Sequence, residues 1–387
     1  MFRPARYSVV DYGQMIECEP RMGVYAEALR GAITPGCTVI DLGAGFGMFS
    51  LLACKYGAGK VIAIEPDPCI DLLIPMAEAN GFADRITIVR DISLNYTPDT
   101  RADVIVSDCR GTVSLYEHHV NTLTDARNRL LAPGGTLLPM RDTMRIALAQ
   151  YDYADRKLHR PWLANNFGLD LAAGYRFSVN EEKKAYLKPH NLMSAPQDLA
   201  VIDYRTITDP TLEASVELVA ERPGEVDGLL IWFDAEIAPG LKYSNAPGEP
   251  ELVYGQMLLP LTGAPCLRAG ERIAVRVRGS LVENDYVWTW DWQVTDAAGT
   301  PQDDRVRQST FLAQAVTPRT LANVSNRHVP DLDPRMVLDR DCLALVGEGR
   351  TLDAIARTMQ ERHPQQLPTY KSALDHAATC VGRYGNQ

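Results

Sequence analysis

Thr38-Val-Ile-Asp41-Leu-Gly43-Ala-Gly45-Phe-Gly47 decides the fold. A short apolar run meets one acid and then a G-x-G-x-G turn. Met48 to Tyr56 follows with helical character, and a second apolar run, Val61-Ile62-Ala63-Ile64, ends in Glu65. Strand, glycine turn, helix, strand, acid is the unit that opens a nucleotide-binding α/β sheet. Glycines there let the backbone approach a ligand with no Cβ in the way. Glu65, at the tip of the second strand, is placed to accept hydrogen bonds from two ribose hydroxyls.

Outward from this unit, strand and helix alternate over residues 36–141. Val39–Leu42 and Val61–Glu65 are the first two strands. Asp71–Gly81 reads as a helix ended by Asn80-Gly81, Ile86–Arg90 as strand three and Val104–Ser107 as strand four. Val120–Leu131 reads as a helix closed by Pro133-Gly134-Gly135, with strand five beginning at Thr136–Leu138. The pattern predicts a parallel, doubly wound Rossmann-like domain. Residues 1–35 are a helical segment preceding it, with a helix over Arg21–Arg30 after an irregular start.

From 142 to 300 the periodicity changes to two. Arg145–Ala149, Leu199–Tyr204, Ala214–Ala220, Gly228–Ile237, Gln256–Leu261, Glu271–Leu281 and Tyr286–Val294 read as strands separated by turn residues. This predicts an antiparallel β-barrel or sandwich, with an arm over about 155–189. Residues 301–340 read as a linker, and 341–387 as a small helical unit compatible with a winged helix. In it, Thr351 caps an amphipathic helix to Arg362, and Tyr370–Tyr384 forms another.

The chain has 387 residues, 46% of them hydrophobic and 23% charged, which suits a globular protein of two or three domains. No apolar run approaches the length of a membrane-spanning helix, and Met1-Phe-Arg-Pro-Ala-Arg-Tyr7 carries no apolar signal core. The eight cysteines are scattered, without a C-x-x-C pair, and read as reduced thiols of a cytoplasmic protein with no metal site. A net charge of −10 with no basic block argues against a nucleic-acid partner. Such a surface suits a cationic one.

A dinucleotide binder would carry G-x-G-x-x-G; here the third glycine comes one residue early and Asp41 precedes the turn. D-x-G-x-G-x-G after a strand resembles motif I of class I S-adenosylmethionine (SAM) methyltransferases. The pairing of that domain with a β-barrel resembles the protein arginine methyltransferases. Tyr12-Gly-Gln-Met15-Ile-Glu-Cys18-Glu-Pro-Arg21-Met-Gly-Val-Tyr25 is similar to that family's M-L-x-D-x-x-R-x-x-x-Y segment, with Cys18 in place of aspartate. The resemblance implies that residues 1–35 cover SAM, that Arg21 holds its carboxylate, and that Met15 lines the active site beside Tyr12. A guanidinium fork matches a carboxylate bidentately.

Ser107-Asp108-Cys109-Arg110-Gly111, with Tyr116-Glu117 nine residues after Asp108, resembles the family's double-glutamate loop, Asp108 being one methylene short. Two carboxylates on one guanidinium fix its plane and bias charge away from one nitrogen, leaving a lone pair for in-line attack on the SAM methyl. The resemblance therefore implies Asp108 and Glu117 as catalytic acids. It implies cofactor contacts from Asp41, Gly43, Gly45, Gly47, Glu65 and Asp91, with S-adenosylhomocysteine as product, and it implies a homodimer.

Gly228-Leu-Leu-Ile-Trp232-Phe233-Asp234 resembles a barrel strand of the family, which puts its T-H-W loop at Leu252-Val253-Tyr254-Gly255-Gln256. Val253 stands where the histidine would be. Tyr12, Arg110, Tyr116, Tyr254 and Gln256 are then the substrate-side candidates, Arg110 as a clamp for a substrate carboxylate. The expected acceptor is an arginine side chain of a peptide or protein. An Asn amide of a ribosomal peptide precursor, free arginine, and a non-catalytic SAM- or peptide-binding role stay open. The tail from Cys342 faintly resembles PqqD-like units, which bind leader peptides.

Overall fold

The computed structural model describes residues 7–151, 160–164, 167–323, 325–332 and 336–384. They fall into two compact units that divide between Ala315 and Val316.

The first unit opens with two helices, α1 (Val9–Glu17) and α2 (Glu19–Ala32), where the sequence reading had an irregular start and one shorter helix. The missed signal is a capping box. Ser8 Oγ accepts from Asp11 N at 3.2 Å, and Asp11 Oδ2 accepts from Ser8 N at 2.8 Å. Pro20 fits the first turn of α2, where its missing N–H leaves no helical bond unmade.

Five parallel strands follow in the order β3-β2-β1-β4-β5: β1 Thr38–Leu42, β2 Lys60–Ile64, β3 Ile86–Val89, β4 Ala102–Ser107 and β5 Leu131–Leu138. β1 and β4 are buried on both faces over most of their length, and their sequences are correspondingly rich in apolar residues, Val39-Ile40 and Val104-Ile105-Val106. Helix α3 (Met48–Lys55) returns the chain from β1 to β2. Two helices differ from expectation. Asp67 caps a 3₁₀ turn over Pro68–Leu72, so the α-helical part, α4, is only Leu73–Ala79. The helix after β4, α5 (His119–Asp125), widens into a π turn over Ala126–Leu130, and β5 already begins at Leu131, upstream of Pro133.

The antiparallel half begins at once with β6 (Arg141–Ala149). Its strands are β7 Lys183–Ala185, β8 Gln197–Asp203, β9 Leu212–Val219, β10 Gly224–Glu225, β11 Gly228–Ala238, β12 Leu241–Ser244, β13 Gln256–Pro260, β14 Cys266–Leu267, β15 Arg272–Val282, β16 Asp285–Thr295 and β17 Val306–Ser309. One sheet runs β7-β13-β11-β6-β8 with β12 on β11, a second runs β17-β16-β15-β9, and β10 pairs with β14. β17 lies in the stretch expected to be a linker, and it pairs with β16 from Thr289↔Ser309 to Trp292↔Val306. Of the expected arm, 155–159 and 165–166 lie outside the described residues. The remainder holds helices Arg160–Leu163 and Ala172–Ser178 and strand β7.

One apolar core spans both halves. Ile40, Ile62, Ile105 and Leu137 of the parallel sheet share a cluster with Met144, Leu229, Ile273, Trp288 and Trp290 of the antiparallel sheets. The second unit contains helices Val337–Gly347, Leu352–Arg362 and Tyr370–Tyr384 around Leu345, Ile355, Met359 and Ala377. Thr351 caps the middle helix as expected. Among the described residues of this unit there is no strand, so the wing of a winged helix is missing from them.

Candidate active site

The glycine turn is built where β1 ends. Gly43 N and Ala44 N both donate to Ile64 O, at 3.0 and 3.1 Å, tying the turn to the tip of β2. Gly43, Gly45 and Gly47 all have positive φ (66°, 56° and 90°), which L side chains rarely adopt. A Cβ on Gly43 would fall 2.3 Å from Cys109 Sγ, one on Gly45 2.9 Å from the Tyr12 ring, and one on Gly47 2.5 Å from Leu73. The turn is thus enclosed by the loop after β4, by α1 and by α4.

Two acids brace it. Glu65 Oε2 accepts from Gly45 N at 3.0 Å and Oε1 from Asp67 N at 2.9 Å, and burial raises its pKa. Asp41 is fully buried. Its Oδ2 accepts from Ser50 N and Ser50 Oγ at 2.9 and 2.8 Å, while Oδ1 has no partner among the described residues. Burial pushes the Asp41 carboxyl up to about 7. Asp41 therefore fastens the start of α3 to β1. Asp91, just beyond β3, accepts from Ile92 N and Asn95 Nδ2 at 2.7 and 2.9 Å.

Arg21, from α2, is buried beneath this surface. Its Nε donates to Asp108 Oδ2 and, at 2.9 Å, to Tyr254 Oη. Its Nη1 donates to the Met15 carbonyl at 3.2 Å and to Met22 Sδ at 3.1 Å. Nη2 has no hydrogen-bond partner among the described residues. Asp108 also takes Arg110 Nη1 on Oδ1 at 2.8 Å and the Tyr254 hydroxyl on Oδ2. Its side chain is 2% exposed. Burial alone would raise its pKa; the two guanidiniums outweigh that and hold it at about 2.

Arg110 is not a substrate clamp. Its side chain is wholly buried and turned inward, donating from Nε and Nη2 to Asp142 at 2.7 and 2.9 Å. Its Nη1 also reaches the hydroxyls of Tyr25 and Tyr243 at 2.8 and 3.2 Å. The chain of bonds continues through Tyr204, which donates to Asp142 at 2.6 Å, to His119 at 3.1 Å. Asp142, Tyr204 and Tyr243 were not singled out from sequence. No local signal marked them: Asp142 lies between Arg141 and Thr143 at the polar start of β6, Tyr243 on the mixed strand β12 (Leu-Lys-Tyr-Ser), and Tyr204 just past the end of β8.

Glu117 stands apart from this network. It is half-buried at φ 41°, a left-handed conformation that costs a non-glycine residue on the order of 1 kcal/mol. Burial raises its pKa above the ordinary glutamate value; a hydrogen bond from Tyr116 opposes this. The Tyr7 phenol lies close to both residues, and burial raises its pKa in turn. Tyr116 packs on Gly111, where an added Cβ would meet its ring at 2.3 Å. His118 bonds Asn284 of the β15–β16 hairpin at 3.0 Å, docking the loop on the barrel.

Of the remaining substrate-side candidates, Tyr12 lies on the glycine turn, its hydroxyl 3.1 Å from Cys69 Sγ. Tyr254 meets Asp108 and Arg21, and so restores a contact between the barrel and this loop that the absent histidine had removed from expectation. Gln256 is buried and structural: Oε1 accepts from Leu187 N at 2.8 Å and Nε2 donates to the Asn245 carbonyl at 2.7 Å. Cys109 packs under Gly43, its thiol pushed up to about 12 by burial, which suits packing and not nucleophilic attack.

A family profile described as ribosomal protein L11 methyltransferase (PrmA) matches residues 24–138. Protein arginine N-methyltransferase 1 of Saccharomyces cerevisiae is 30% identical over 232 residues, 57% of this chain and 65% of that protein. The arginine N(omega)-methyltransferase of Streptomyces achromogenes subsp. streptozoticus is 28% identical over 256 residues, 65% of this chain and 70% of that protein. Among solved structures, the Trypanosoma brucei PRMT1 enzyme–prozyme complex with AdoHcy superposes with a TM-score of 0.69 at 24% identity, covering 77% of this chain and 97% of that one. Protein arginine methyltransferase 10 of Arabidopsis thaliana gives 0.69 at 19%, covering 78% and 98%. The chain is protein arginine methyltransferase-like, with the class I SAM methyltransferase fold. The match spans about two-thirds of the length of the curated relatives.

Proposed function

We propose that this protein is a SAM-dependent N-methyltransferase acting on the guanidinium of an arginine in a peptide or protein. One observation carries the reading. A half-buried carboxylate, Glu117, is held in a left-handed conformation on the loop that closes over the glycine turn, through Cys109 against Gly43. The likeness to arginine methyltransferases over 57% and 65% of the chain supports it.

The residues present fit the cofactor. The glycine turn offers backbone without Cβ atoms, Glu65 just past the tip of β2 would meet the ribose, and Arg21 keeps one guanidinium nitrogen without a hydrogen-bond partner among the described residues, which would take a carboxylate. Gly43–Gly47, Glu65, Asp91 and Arg21 would hold SAM, which when bound supplies an electrophilic methyl group. Glu117 would accept N–H bonds from the acceptor guanidinium and aim one nitrogen along the transfer line. Tyr116 and Tyr7 would orient that carboxylate and limit water around it. No base need deprotonate the guanidinium in the ground state, where it stays protonated; the methyl–sulfur bond breaks as the methyl–nitrogen bond forms, and the excess proton then passes from the alkylated nitrogen to solvent.

We also propose a homodimer resident in the cytoplasm. Exposed Leu163 and Leu169 in the arm region and eight free thiols support this reading. No helix among the described residues is long and apolar enough to cross a membrane.

The test is mass spectrometry of SAM-treated acceptors with fragment mapping: an Arg/Gly-rich peptide, free arginine and an Asn-containing peptide, with wild type and Glu117→Gln. Wild type should add methyl groups to arginine in the peptide. Glu117→Gln should abolish turnover and leave SAM affinity within a fewfold, about 1 kcal/mol or less. Methylation of free arginine alone, or of the amide alone, would refute the acceptor. Equal loss of SAM binding and turnover in the variant would refute the role of Glu117.

A further inference from the structure

The resemblance gives Asp108 and Glu117 the same task, two acids on one acceptor guanidinium. The geometry separates them. Three donors already converge on Asp108: Arg110 Nη1 on Oδ1, and Arg21 Nε with the Tyr254 hydroxyl on Oδ2. A carboxylate has about four acceptor positions, and this one is shut off from solvent. Glu117 lies outside the network and is half-buried.

Charge explains why Asp108 stays inside. Arg21 and Arg110 bring two positive charges to the interior, and Asp108 with Asp142 brings two negative ones. Turning Asp108 toward an acceptor would strip one guanidinium of its counter-charge at a buried position, which proteins rarely tolerate. Arg110 anchors the arrangement. It is itself held bidentately by Asp142 and cannot follow Asp108 outward. An aspartate, one methylene shorter than glutamate, spans only as far as these partners.

We propose that Asp108 is a positioning residue for the cofactor side, fixing Arg21 so that its remaining guanidinium nitrogen meets the SAM carboxylate, and that the acceptor is gripped by the single carboxylate of Glu117. Arg110 determines this division by occupying Asp108 from behind. The inference rests on the methyl-transfer reading for the place of the acceptor. A single-carboxylate grip asks the acceptor for one N–H edge instead of two, so nitrogen groups smaller than guanidinium meet the same contact.

The experiment titrates S-adenosylhomocysteine into the full chain by calorimetry, and then an Arg/Gly-rich peptide into the S-adenosylhomocysteine-saturated protein. It compares wild type, Asp108→Asn and Tyr254→Phe. Asp108→Asn should weaken S-adenosylhomocysteine about tenfold or more, the size expected for one charge-assisted bond, with peptide affinity changed less than about twofold. Tyr254→Phe removes a donor to Asp108 without changing any charge. It should weaken S-adenosylhomocysteine severalfold with the peptide unaffected, and it decides the matter if Asp108→Asn does not fold. Unchanged S-adenosylhomocysteine affinity in the folded variants, or loss of peptide affinity alone, would overturn the proposal. A wild type that binds S-adenosylhomocysteine but no peptide would refute the acceptor assignment instead, and the S-adenosylhomocysteine titrations would still decide the role of Asp108.

Discussion

Asp142→Asn tests the buried network most directly. Asp142 is fully buried and accepts two bonds from Arg110, at 2.7 and 2.9 Å, and one from Tyr204 at 2.6 Å. Asparagine keeps the shape but has one oxygen where two are used. Its amide nitrogen must face a guanidinium N–H in either orientation, Nη2 at the Oδ1 position or Nε together with the Tyr204 hydroxyl at the Oδ2 position. The interior is left with two guanidiniums and one carboxylate. Removing one partner of a buried pair costs about 3–5 kcal/mol, mostly the uncompensated charge. For a unit of this size each kcal/mol moves Tm by roughly 2 °C, so Asp142→Asn should lower it by about 6–10 °C. Urea unfolding at neutral pH measures the loss directly. The Arg110→Met, Asp142→Leu double variant sharpens the test by removing both charges together. Its loss should fall below the sum of the single losses by about 2 kcal/mol or more. A single-variant loss under about 1 kcal/mol, or strict additivity, would show that these groups are not coupled as the geometry requires.

Two further outcomes follow from the same structure. Gly45→Arg places a side chain at φ 56° against the Tyr12 ring, and equilibrium binding should show no SAM affinity; a variant that still binds contradicts the glycine-turn assignment. Burial, and next the nearby Arg110 charge, push the His119 imidazole down to about 4, so it is neutral in the folded protein and takes up its proton first in the unfolded chain. Stability should therefore hold above pH 6.5 and fall by on the order of 3 kcal/mol between about 6.5 and 4, a slope that urea titrations should find flattened in His119→Gln.

What could be read from sequence was what is local. The glycine turn, Asp41 and Glu65 announce themselves within a few residues because the backbone there needs glycine and the strand tips need acids. Arg21 was legible for a similar reason, lying on a helix just before the first strand. The network around Asp108 was not. Tyr254 is 146 residues from Asp108, and Tyr243 is 133 from Arg110. Arg110 alone, on a loop near the site, reads as a clamp; only the position of Asp142 in β6 turns it inward. The helix boundaries missed at Pro68 and Ala126 failed for a different reason, since the 3₁₀ and π segments are five residues each, too short for their different periods to show in the apolar pattern.

The apolar cluster shared by the parallel sheet and the barrel strands bears on how such a chain can change. Residue 141 marks a switch in strand direction and is not a seam. Grafting a barrel from a relative onto this glycine-turn half would set foreign side chains against Ile40, Ile105 and Leu137, and would discard Asp142 while keeping Arg110. On the proposed reading, new acceptor preferences would be easier to reach by substitution in the β15–β16 hairpin and the loop around Glu117 than by exchange of whole halves.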